Sequence, residues 1–170
     1  MAKTERDRVD EFLESEFLGE IPNLDLSVEG IVDRIHDLSK GFKRALSETL
    51  SEYGLTHGEW SILYALVRKQ PRSAGALAKI ADLSSGAMTN RLDRLEEAEL
   101  VRRVPDPEDR RGVLVELTAK GRSSYRAATG AIAAYEAFIA SALNKREKEE
   151  LNSLLRRLMI KFERREGGTA

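Results

Sequence analysis

Two short runs of strand-forming residues, Leu100-Val101-Arg102-Arg103-Val104 and Val113-Leu114-Val115-Glu116-Leu117, are separated by the octet Pro105-Asp106-Pro107-Glu108-Asp109-Arg110-Arg111-Gly112. The octet is rich in Pro, Asp and Gly and too polar for any core, so it reads as a turn. Alternation in the second run puts Val113, Val115 and Leu117 on one face, and the two runs together read as an antiparallel hairpin. What stands just before the hairpin narrows the fold further. Ser73 can cap a short helix containing Leu77 and Ile80 that ends near Asp82-Leu83. Ser84 or Ser85 can cap the next, with Ala87, Met88, Leu92 and Leu95 on its apolar side. Two helices joined by so short a turn match a helix-turn-helix, and a hairpin directly after one makes a winged helix.

The flanks are helical. Ser27 is the expected cap of a helix of about seven turns whose apolar positions run Val28, Ile31, Val32, Ile35, Leu38, Phe42, Ala45, Leu46, Leu50 and Tyr53, closing at Gly54. Thr56 and Glu59 form a capping box that opens a helix carrying Trp60, Ile62, Leu63, Leu66 and Val67, with Pro71 as its stop. Thr118 is placed to cap a helix through Tyr125, Ile132, Tyr135, Phe138 and Leu143. A second capping box, Asn144 with Glu147, precedes the stripe Leu151, Leu154, Leu155, Leu158, Met159 and Phe162. Such a terminal stripe can fold back on its own lobe or meet a second copy. The expected architecture is therefore mainly α with a small β-hairpin. An acidic extension (1–26) precedes an N-terminal helix (27–54) and a winged helix-turn-helix lobe (55–121). C-terminal helices (122–165) and a short tail (166–170) follow.

Charge qualifies this reading. The net charge of −1 is unpromising for a nucleic-acid binder, but residues 1–30 hold three basic against nine acidic side chains, and the remaining 140 hold twenty-five against twenty. An acidic leader thus precedes a mildly basic body. No stretch is apolar enough for a membrane helix, and Met1 to Leu18 lacks the apolar run of a secretory signal, so the expected location is cytoplasmic. Absence of cysteine removes disulfides, thiolate zinc sites and thiol redox chemistry. The two histidines, His36 and His57, have no ligand partners at helical spacing on a shared face, so no metal and no cofactor is expected. Asp106, Glu108 and Asp109 lie on one exposed loop with nothing to exclude water or orient a substrate, which argues against an enzyme.

Helix geometry selects candidate DNA-reading residues. With Met88, Leu92 and Leu95 turned inward at about 100° per residue, Gly86, Thr89, Asn90, Asp93 and Arg94 point outward. Asn90 suits adenine, Arg94 guanine or phosphate, and Thr89 a thymine methyl, while Arg91 lies on the flank. Ser85 and the amides beside Gly86 form a helix N-terminus suited to phosphate. Arg110 and Arg111 at the hairpin tip can enter a minor groove. Asp109 is anionic, and its expected work is to fix the loop. The competing reading is a winged-helix module that binds protein and has lost DNA recognition; outward Asn90 and Arg94 with paired tip arginines favour DNA.

The run Asp109-Arg110-Arg111-Gly112-Val113-Leu114-Val115-Glu116-Leu117-Thr118-Ala119-Lys120-Gly121, with Leu92-Asp93-Arg94-Leu95-Glu96 upstream, resembles the multiple-antibiotic-resistance regulator (MarR) family over about Ser27 to Phe162. The resemblance implies a homodimer whose terminal helices interlock and whose wings straddle operator DNA. Val28, Ile31 and Ile35 would then be dimer residues, together with Leu151, Leu154, Leu155, Leu158 and Met159. It further implies repression of neighbouring genes and release by a small aromatic or anionic effector. Candidate lining residues for that effector are His36, Trp60, Tyr64 and Tyr135. The acidic extension is similar to that of a urate-responsive subgroup, which has a Trp in its extra helix and an Asp after the Trp of the second helix. Here the leader carries Phe12 and Phe17, and Ser61 follows Trp60, so urate is not carried over.

Overall fold

A side chain that can accept a hydrogen bond stands before almost every helix, and these caps set the element boundaries. The structure, a computed structural model, describes residues 5–15, 18, 20–68, 72–109 and 111–166. Its elements are α1 (Arg8–Leu13), α2 (Leu26–Glu52), α3 (His57–Arg68), β1 (Arg72–Ser73), α4 (Ala74–Ala81), α5 (Ser85–Glu97), β2 (Val101–Pro105), β3 (Val113–Leu117), α6 (Ala119–Ala140) and α7 (Lys145–Glu166). Phe17, Pro71, Arg110 and residues 167–170 of the expected tail lie outside the described residues.

Both capping boxes form. The Thr56 amide donates to Glu59 Oε2 at 2.8 Å, and the Asn144 amide to Glu147 Oε2 at 2.8 Å. Ser73, Ser84 and Thr118 cap α4, α5 and α6 through their hydroxyls. One cap differs from expectation: α2 starts at Leu26, and Asp25 rather than Ser27 caps it, accepting from both the Ser27 amide (2.9 Å) and the Ser27 hydroxyl (2.6 Å). A carboxylate two residues upstream is the stronger acceptor, so Ser27 donates instead. At the other end Gly54, at φ 66°, lets the Leu55 amide turn back to the Leu50 carbonyl at 3.0 Å. That left-handed step costs glycine nothing.

The core lies in the central lobe. Leu50, Ile62, Leu63, Leu66, Leu77, Met88, Leu92, Leu95 and Val115 are fully buried around it. Helix α2 reaches it at its C-terminal end, through Leu50 with Leu46 and Tyr53 beside it, and α6 through its middle turns, Ala128 with Tyr125 and Ile132. The sheet has three strands in the order β1-β3-β2, both pairings antiparallel. The first strand was not expected from sequence: it is two residues long, with Arg72 opposite Val115 and Ser73 opposite Leu114. The hairpin pairs Val101 with Leu117 through Pro105 with Val113, so its first strand begins and ends one residue later than the sequence suggests. Val115 and Leu117 face the core, but Val113 is 51% exposed because the tip end of the hairpin runs out beyond the lobe.

The leader is docked. Arg34 of α2 donates to Asp7 Oδ2 at 2.8 Å and to Asp10 Oδ1 at 2.6 Å, and Arg8 donates to Asp37 Oδ2 at 2.6 Å. Val9 is buried beneath these pairs. The Asp7 carboxyl is held below its ordinary range, first by the Arg34 hydrogen bond and then by the Asp10 amide. Among the described residues nothing covers α7, whose residues from Leu151 to Arg165 are all exposed. No described helix is long and apolar enough to cross a membrane.

Candidate nucleic-acid interface

Helix α5 buries Met88, Leu92 and Leu95 and turns Gly86, Thr89, Asn90 and Arg94 outward, as the periodicity predicts, with Ser85 exposed beside them. Its cap is Ser84, leaving Ser85 as the first helical residue. The Thr89 hydroxyl donates to the Ser85 carbonyl at 3.0 Å, which leaves the methyl as its free group. Among the described residues Asn90 has no hydrogen-bond partner, so its amide is wholly available.

Charged neighbours on this helix are less free than periodicity suggested. Asp93 is half-buried and accepts from Arg103 Nη2 of β2 at 2.6 Å; Arg103 also pairs with Glu96, whose Oε1 accepts the Arg103 amide at 3.0 Å. This fastens the hairpin to α5, and raises Arg103 above even its ordinary pKa, chiefly through Asp93. Arg94 pairs with the carboxylate of Glu59 at 3.3 Å, the Glu59 side chain being only 4% exposed. Arg91 lies over the first turn of α3, where a Cβ on Gly58 would meet its Nη1 at 2.3 Å.

The hairpin tip is tightly folded. Asp109 Oδ1 accepts the Arg111 amide at 2.9 Å, and its carbonyl accepts the Gly112 amide at 2.8 Å, which is the loop-fixing work expected of it. Gly112 has no room for a side chain, since a Cβ there would stand 2.8 Å from Asp106 Cβ. Arg102 donates to Glu116 directly across the ribbon at 2.6 Å. Arg111 pairs with no carboxylate among the described residues. Arg110 lies outside them.

Of the four candidate effector-lining residues, Trp60 and Tyr64 are brought together, and His36 and Tyr135 stand apart from them. Trp60 stacks with Tyr64 and with Tyr125, ring centres 6.2 and 6.1 Å apart, and its Nε1 donates to Thr129 Oγ1 at 3.1 Å. Tyr135 meets Phe42 edge-on and lines a cavity of about 380 Å³ between α1, α2 and α6. His36 lines a different hollow, with Arg8 and Phe12 beneath the leader. Tyr125 joins Trp60 and Tyr64 in one aromatic cluster; its own sequence context marked it only as a core position of α6.

A helix-turn-helix followed directly by an antiparallel hairpin defines a winged-helix protein. The MarR family model matches residues 55–113, which span α3 to the start of β3. The HTH-type transcriptional regulator PecS of Dickeya dadantii is 32% identical over 142 residues, covering 82% of this chain and 86% of that one. Among solved structures, a mutant MarR from E. coli complexed with operator DNA superposes with a TM-score of 0.58 at 27% identity, covering 78% of this chain and 95% of that one. YusO from Bacillus subtilis shares the fold with a TM-score of 0.74 at 21% identity, over 81% of this chain and 97% of that one. The chain belongs to the MarR family of DNA-binding transcription regulators.

Proposed function

We propose that this regulator is a homodimeric repressor that binds a pseudo-palindromic operator beside its own gene, and that a small aromatic or anionic effector releases it. Helix α5 enters the major groove, where Asn90 reads adenine and the Thr89 methyl meets thymine, while Ser85 and the Gly86 amide hold phosphate. Arg91 and Arg94 add charge on the helix, and Arg110 and Arg111 carry the tip into the minor groove. The observation that carries this reading is Asn90: an exposed, unpartnered amide on the N-terminal half of a helix that follows a capped turn.

Exposed apolar surface supports the dimer. Val28, Ile31 and Ile35 on α2, and Leu151, Leu154, Leu155, Leu158 and Met159 on α7, are between 39% and 54% exposed, and apolar stripes of this kind on a protein surface mark an interaction site. The stacked Trp60, Tyr64 and Tyr125 support an effector with a flat ring. A cytoplasmic setting fits these roles. The test is a mobility-shift series with promoter fragments, beginning with DNA beside the gene. Footprints should show half-sites centred about 10 base pairs apart. Asn90→Ala should cost roughly 1–3 kcal/mol on the operator and little on scrambled DNA. Equal losses on both duplexes would place the reading face elsewhere.

A further inference from the structure

Glu59 is the one buried charged side chain among the described residues, and its two oxygens are divided between different tasks. Oε2 accepts the amide and the hydroxyl of Thr56, both at 2.8 Å, and so completes the cap of α3. Oε1 is left for Arg94, whose Nε stands 3.3 Å away. The capping box needs only one oxygen, and glutamine would serve it equally well. What glutamine cannot supply is a charge facing Arg94.

The arginine is bound from one side only. Its side chain is 65% exposed on the outward face of α5, and no other carboxylate pairs with it among the described residues. A guanidinium carries five N–H donors in a rigid planar fork, and one carboxylate oxygen leaves several of them over. A fork held from behind keeps one orientation, whereas a free one swings between base edges and phosphates. Bidentate recognition of guanine depends on that orientation; attraction to phosphate does not. Arg91 is seated on the same turn, its guanidinium over Gly58, so the first turn of α3 backs both arginines of the reading helix.

We propose that Glu59 is a positioning residue for DNA reading, fixing the Arg94 guanidinium so that its remaining donors meet a guanine edge in the operator. The inference rests on the DNA-reading role given to α5 above. Holding the fork favours the operator alone, while the neighbouring negative charge weakens attraction to any phosphate. Glu59 therefore widens the gap between operator and random DNA from both sides.

The experiment compares Glu59→Gln, Arg94→Lys and the double variant with the unaltered chain, by fluorescence anisotropy on an operator selected from a random duplex library and on its scrambled counterpart, at two salt concentrations. Unfolding temperatures are measured in parallel. Glu59→Gln should lower the operator-to-scrambled affinity ratio about tenfold, with scrambled binding unchanged or tighter and its salt dependence steeper. Arg94→Lys, an exposed change that keeps the charge and removes the fork, should give a similar fall, and adding Glu59→Gln to it should change the ratio no further. An undiminished ratio in a Glu59→Gln protein of normal stability overturns the proposal, as does an undiminished ratio in Arg94→Lys or a second tenfold fall in the double variant. Should Glu59→Gln fail to fold, the Arg94→Lys ratio decides alone. An unaltered chain that selects no duplex from the library overturns the DNA-reading role itself, a result separate from any of these.

Discussion

Replacing Gly121 by alanine puts a methyl group where the structure has a backbone. Gly121 sits in the first turn of α6, its amide on the Thr118 hydroxyl at 2.9 Å, and an added Cβ would lie 1.9 Å from the Leu100 carbonyl oxygen and 2.8 Å from its carbon. Ordinary contact begins near 3.4 Å, so helix and strand must part by about 1.5 Å. The obstacle is main chain, pinned by the Thr118 amide bonding the same carbonyl at 3.1 Å and by the Thr118 hydroxyl on Glu99 O at 2.7 Å, and it has no rotamer by which to yield. Overpacking of this kind costs about 1–3 kcal/mol, and loss of a strained hydrogen bond adds about 1. Better helix propensity returns at most about 1. A net loss of about 1–3 kcal/mol follows, or roughly 2–12 °C in unfolding temperature for a chain this size. Gly130→Ala, in the same helix with nothing within 4 Å, should instead stabilise by about 0.5–1 kcal/mol. Thermal melts followed by circular dichroism distinguish the two. If Gly121→Ala melts at or above the unaltered temperature, helix propensity has outweighed the clash and the packing argument fails.

Acid should loosen the leader. The folded Asp7 carboxyl titrates below its unfolded value, so its support is complete above about pH 4 and is lost as pH falls through the folded value; hydrogen exchange at the Val9 amide should quicken over that interval, and Asp7→Asn should exchange fast at neutral pH. Unchanged protection in Asp7→Asn counts against the pairing with Arg34. Leu155→Glu alters a side chain already 39% exposed, so a monomer would scarcely notice it; sedimentation should instead show loss of dimers at micromolar concentration, and an intact dimer refutes the assignment of α7. Arg111→Ala should weaken operator and scrambled DNA alike and reduce the log–log salt slope by about one. A loss confined to the operator would make Arg111 a base-reading residue.

What could be read beforehand was local. Thr56 with Glu59, Asn144 with Glu147, and the caps Ser73 and Thr118 each involve partners three residues apart, and the face of α5 follows from helical repeat alone. Asp25 and Ser27 show the limit of such reading: both are good caps, and the choice falls to Asp25, whose carboxylate takes both the amide and the hydroxyl of Ser27. Contacts between distant segments left no such trace. Arg94 and Glu59 are 35 positions apart, Arg103 reaches back to Asp93, and a two-residue strand is too short to show any alternation. The separation of His36 and Tyr135 from Trp60 and Tyr64 likewise depends on how helices cross.

Ser73 belongs to two structures at once. Its backbone pairs with Leu114 in the sheet, and its hydroxyl caps α4. The hairpin is therefore fixed at its root to the start of the helix-turn-helix as well as to α5, while the described residues of its tip, Asp106 to Gly112, bond to one another. Length variation among proteins of this build should follow that division. Residues can be added or removed between Pro105 and Gly112, where the ribbon projects beyond the lobe. A single residue gained between Ser73 and Ala74 would separate the strand from the helix it caps, and lineages carrying such an insertion should have lost the small strand altogether.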